Sequence, residues 1–126
     1  MKIETSELIG AALDWAVAKC EAEKDVLYCQ QQYGRLLVRI AGNHETTDSE
    51  WLYSPSTNWA QGGPIIEREK ILADFDNGWS FETPWRCAVS INRYDLYDGE
   101  TLLVAAMRCY VASKLGDVVD IPEELL

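Results

Sequence analysis

The chain has 126 residues, 48% of them apolar and 25% charged, the balance of one globular domain that buries its own core without a metal or disulfide framework. Its 21 acidic and 11 basic residues leave a net charge of −10, which opposes direct nucleic-acid binding by repulsion from the phosphate backbone. No stretch approaches the roughly 20 apolar residues that span a bilayer, and Glu4 and Glu7 interrupt any secretory leader, so a single domain over residues 1–126, cytoplasmic and soluble, is expected.

Met1 to Glu4 suits a short strand, and Ser6 to Glu21 a helix, because Leu8, Ile9, Ala12, Leu13, Ala16, Val17 and Cys20 recur at three- and four-residue spacing. Thr5 or Ser6 would cap it, and Gly10 inside an alanine-rich helix suggests close packing against another element. Val26 to Cys29 and Leu36 to Ala41 read as two strands about a turn at Gln30 to Gly34. Gly42 to Glu50 holds no apolar residue and reads as a solvated loop.

Ser54 to Pro64 is dense in turn residues and reads as a long irregular segment, with a short helix opening at Pro64 and running to Lys70. Ile71 to Phe75 and Trp79 to Phe81 flank Asp76-Asn77-Gly78, a pair of runs that suits a tight hairpin, and Trp85 to Ile91 adds a strand. Asp98 to Thr101 marks the entry to a second amphipathic helix through Leu102, Leu103, Ala106, Met107, Tyr110, Val111 and Leu115, which stops at Gly116. Val118 to Ile121 can add a last strand. Two helices near the chain ends and four to six short strands between them predict an α+β fold, an antiparallel sheet with both main helices on one face.

Little here points to catalysis. Cys20, Cys29, Cys87 and Cys109 form no CxxC pair and His44 is the only histidine, which leaves no metal site and no nucleophile with a base beside it. Asp74 and Asp76 would share one side of a regular strand, so a small hydrolase is a minor alternative. No glycine fingerprint opens a helix, and Gly62-Gly63 lacks the lysine and hydroxyl of a phosphate loop, so no cofactor is expected.

Three blocks carry a family resemblance: Thr5 to Leu8 with Ala12 to Lys19; Tyr53 to Trp59 through Gly62 to Ile66; and Ala105 to Gly116. Together they resemble the phage NinX-like proteins of tailed phages and prophages of enteric bacteria. The resemblance implies a phage origin and an accessory role, and no activity. Segments 24–50 and 79–98 lie outside it.

The best candidate site is the central loop. Ser56, Thr57, Asn58, Trp59, Gln61, Gly62 and Gly63 bring hydroxyls, amides, bare backbone and an aromatic plane together, and Arg68 can add a positive charge. An aromatic, amide and arginine pocket suits a nucleotide-derived small molecule, and binding one needs no catalytic residue. The expected function is a non-enzymatic accessory protein that binds such a ligand or a host protein to counter a host defence. An acidic interaction module, including a DNA mimic, is the alternative reading of the net charge of −10. The apolar helix faces and the Leu125-Leu126 end leave room for a homodimer.

Overall fold

The computed structural model describes residues 1–21, 53–75, 81–88 and 96–126, together with the backbone of 27–32 and 35–40. In chain order the elements are β1 (Lys2–Glu4), α1 (Gly10–Glu21), β2 (Leu27–Gln32), β3 (Arg35–Ile40), α2 (Trp59–Glu69), β4 (Leu72–Phe75), β5 (Trp85–Ala88), β6 (Tyr97–Gly99), α3 (Leu102–Leu115) and β7 (Val118–Asp120). Single 3-10 turns follow β1 at Thr5–Glu7 and β7 at Glu123–Leu125.

The core is built on α1 and α3. Seven consecutive residues of α1, Ala12 to Ala18, are buried, as are nine of α3, Leu103 to Val111. The amphipathic stripes expected of both helices are therefore only part of a surface covered all the way round. Position in the fold explains this: α3 packs on α1, α2, β5, β6 and β7, and α1 is sandwiched between α3 and the β2–β3 pair. Such helices need small residues between the large ones, and Ala12, Ala16, Ala18, Ala105 and Ala106 supply them.

The α+β class stands, with every strand pairing antiparallel. The strands form three small ladders rather than one sheet: β1–β7, β2–β3 and β4–β5–β6. Strands β5, β6 and β7 reach α3, whereas β2 and β3 reach α1, so each ladder covers its own part of the helix pair.

The terminal ladder, with Ile3 opposite Val119, ties the two chain ends. Buried Thr5, which was expected to cap α1, belongs to this clasp instead, donating its N–H to Asp117 O at 2.8 Å and its hydroxyl to Gly116 O at 2.7 Å.

Two local expectations change, at Gly10 and at Phe81. Gly10 has open space around the position of a Cβ and a φ of +60°, so it serves the bend from the 3-10 turn into α1 rather than a close contact. Replacing Gly10 with Ala is expected to cost about 1 kcal/mol, through the left-handed backbone alone, measured by urea denaturation. Strand β4 pairs with β5, Phe75 opposite Trp85. Phe81 lies outside any strand and is 89% exposed. The rings of Phe75 and Trp85 meet across this pair with centroids 4.9 Å apart, a cross-strand aromatic contact that supports the ladder. The expected hairpin turn at Asp76-Asn77-Gly78, with Trp79, and the whole polar loop at 42–50, with His44, fall outside the described residues.

Candidate functional site

The central segment is helix where a loop was expected. Asn58 accepts a hydrogen bond from Ala60 N at 2.9 Å through Oδ1 and caps α2, which begins at Trp59, five residues before Pro64. Proline is accommodated there because the carbonyl it leaves without a donor, that of Ala60, belongs to an exposed residue in the first turn. Gly62 and Gly63 do not break the helix, since packing outweighs their low propensity.

Before the helix, Ser54 O accepts from Thr57 N and Asn58 N, closing a turn, while Gln61 Oε1 accepts from Ser54 N at 2.6 Å. Ser56 is buried and donates its N–H to Asp14 Oδ1 at 2.9 Å, which pins the turn to α1. The Ser56 hydroxyl, buried in the same place, makes no well-directed hydrogen bond. Burial pushes the Asp14 carboxyl up to about 6, and its contacts with Ser56 offset part of that rise.

Gly62 is the contact point of α2. A Cβ there would run into Pro55 O and would lie 2.7 Å from Leu103 Cδ2 of α3. Replacing Gly62 with Ala is expected to push α2 off this seat and to cost about 2–3 kcal/mol, read as a lower urea midpoint at unchanged slope.

The outward side of α2 is different. Trp59 is 56% exposed and its ring lies over Gly63, with Cε3 3.7 Å from where a Cβ would be. Thr57 and Asn58 are exposed beside it.

Arg68 is not part of this group. Nine residues separate it from Trp59, two and a half turns or about 13.5 Å along the helix and on the opposite side. Its guanidinium grips Glu21 in a bidentate pair at 3.0 and 2.9 Å, and Tyr110 OH also donates to Glu21, at 3.0 Å. The arginine also lies 5.8 Å from the Tyr110 ring centroid. It thereby fastens the end of α2 to α1 and α3. Ser56, Thr57, Asn58, Trp59, Gln61, Gly62 and Gly63 are thus gathered at one end of α2, with Ser56 and Gly62 turned inward as framework and Trp59 turned outward.

Other functional features lie away from the loop. A cleft of about 380 Å³ has Glu4, Ser6, Tyr97, Asp98, Asp117 and Val118 in its lining. Asp117 accepts from Tyr97 OH at 2.8 Å and Asp98 from Thr83 Oγ1 at 2.7 Å, which fixes two of its carboxylates. Asp74 is exposed on β4, opposite Arg86 in register, and Asp76 is outside the described residues. Among the described residues no group of three His, Cys, Asp or Glu side chains is arranged to hold a metal ion, and no helix is long and apolar enough to cross a membrane.

Some of these roles had a signal in the sequence. Asp14 and Arg108 each interrupt an apolar helical run, and a charged residue at such a place needs an internal partner. The cleft had none, because its walls come from both chain ends and from β6.

The family profile of Bacteriophage P22, NinX, matches residues 4–114, nearly the whole chain and all of the α2 surface. The chain belongs to the NinX family. No curated protein matches it significantly. As a NinX-family member it is a phage accessory protein, and every residue of the Asn58–Trp59 cap and of the Arg68–Glu21 pair lies within the matched span.

Proposed function

We propose that this NinX-family chain is a non-enzymatic phage accessory protein that binds a host protein through the outward face of α2, in the service of counter-defence. The observation that carries this reading is Trp59, half-exposed yet held on a fixed frame. Asn58 caps the helix beneath it, Gln61 ties back to Ser54, Ser56 is pinned by Asp14, and Gly62 seats the helix on Pro55 and Leu103. A large exposed aromatic on a braced helix is the residue type that dominates protein interfaces, because its two side-chain torsions lose little entropy when it is covered.

The pairing of Arg68 with Glu21 favours a protein partner over a nucleotide-derived ligand, because the one cation expected for an anion is already engaged and faces elsewhere. The acidic cleft of Glu4, Asp98 and Asp117 supports the second reading, an acidic interaction surface that includes mimicry of DNA.

The test is affinity recovery from host cells with wild-type protein and with Trp59→Ala, analysed for both proteins and released small molecules. A host protein is expected on the wild type and is expected to fall at least tenfold on the variant, whose unfolding free energy should lie within about 1 kcal/mol of wild type because Trp59 is a surface residue. A stoichiometric nucleotide-like species in place of a protein would transfer the site to a small ligand. Equal recovery of the same protein by both would remove Trp59 from the function.

A further inference from the structure

Helix α2 has one side buried and one side open, and the two differ in chemistry. At about 100° per residue, Trp59, Ala60, Gly63, Pro64 and Glu67 fall within an arc of about 140°. Gly62 and Ile65 are buried on the other side. Trp59, Ala60, Pro64 and Glu67 are exposed and Gly63 is half-exposed.

Along this arc the helix offers one aromatic wall, a shallow floor of Ala60 and Gly63 with almost no side chain, and the ring of Pro64. At its far end stands the carboxylate of Glu67. Within α2 the arc carries no cation, because Arg68 lies off it and is drawn to Glu21, and exposed Lys70 is the left-handed C-cap just beyond the helix. The surface is thus apolar at one end and anionic at the other, on a chain whose net charge is −10.

From this we infer that the partner of the α2 face docks a positively charged segment, with an apolar side chain laid on Ala60 and Gly63 against Trp59 and a lysine or arginine on Glu67. The inference rests on the proposed protein-binding role of this face and adds the chemistry of the partner. A segment of that kind meets both ends of the arc, and the charge of the whole chain attracts it before contact. A second copy of this chain, which also carries a net charge of −10, is repelled rather than attracted before contact. An acidic or neutral partner leaves Glu67 covered and unpaired, which costs a carboxylate its hydration without return.

The experiment places a photo-crosslinking amino acid at Ala60 in the full chain, expressed in host cells, and maps the cross-linked peptide of the partner. The expected peptide carries lysine or arginine within a few residues of the attachment point. The expected yield falls at least fivefold with Glu67→Lys, falls less with Glu67→Gln, and is lost with Trp59→Ala. Circular dichroism on each purified variant confirms that its fold is retained, so that a lower yield reports the face.

An acidic or neutral cross-linked peptide, a cross-link to a second copy of this chain, or a yield indifferent to Glu67→Lys overturns the inference. If the attached peptide is that of a host protein in such a case, the binding role of the face stands. If nothing is attached at Ala60 while affinity recovery also returns no protein, the binding role itself fails.

Discussion

Replacing Arg108 with alanine is expected to remove about 4 kcal/mol of stability, the largest effect of any single substitution considered, and to lower the urea midpoint by about 2 M at a slope near 2 kcal/mol/M. Arg108 is buried in the middle of α3, where its Nε donates to Leu8 O at 2.7 Å and its NH1 to Asp98 O at 2.9 Å. One side chain thereby joins the turn before α1, the last strand of the β4–β5–β6 sheet and the central helix. Burial pulls its pKa down, and Asp98 and Glu100 act against that by favouring the cation. Truncation leaves two carbonyls without their charged donor and a void where the aliphatic stem was. Arg108→Met restores the stem but neither donor and should recover about 1 kcal/mol. Arg108→Lys keeps the charge but, with a single ammonium, cannot serve both carbonyls in the same geometry.

The second large effect concerns pH. Asp14 ionises near its ordinary value of 3.8 in the unfolded chain, whereas burial raises it to about 6 in the folded protein. Between these values the native state holds the proton more tightly than the unfolded state, so stability declines as pH rises. Its full contribution is present below about pH 4, and about 3 kcal/mol has gone once the pH exceeds 6. Asp14→Asn keeps an oxygen to accept from Ser56 N and has no proton to lose. Its advantage over the wild type should therefore grow by about 2.5 kcal/mol between pH 4 and pH 7, measured as the difference in unfolding free energy at each pH. An advantage that stays constant across that window would mean that the Asp14 carboxyl titrates as it does in water.

Local pattern announced much of the fold and little of the site. Thr101 accepts from Val104 N and opens α3, Gly116 closes it, and the strands expected at the two chain ends are β1 and β7. The caps of α3 are decided by neighbours a few residues away, which a sequence displays directly, whereas β1 and β7 show only their local strand character and pair across the two chain ends. The segment from Ser54 to Pro64 went the other way. Gly62, Gly63 and Pro64 argue against a helix on propensity, yet α2 forms because Gly62 alone allows its backbone to reach Pro55 and Leu103. That fit depends on a turn folded back from Pro55 and on a helix forty residues further on, and a local pattern does not display it.

Arg68 shows the same limit. Proximity in sequence suggested that it would face the same ligand as Trp59, but helical geometry turns it to the other side, toward Glu21 and Tyr110.

The sequence by itself determined the α+β class, the two central helices, the start and stop signals of α3, the family and a net charge of −10, because composition, periodicity and capping act over short range or over the whole chain. Only the tertiary structure decided that the strands divide into three ladders, that Asp14 and Arg108 are internal ties, and that Trp59 faces outward while Arg68 does not. Those outcomes depend on which surfaces meet across the fold, and burial, desolvation and steric contact are properties of that meeting.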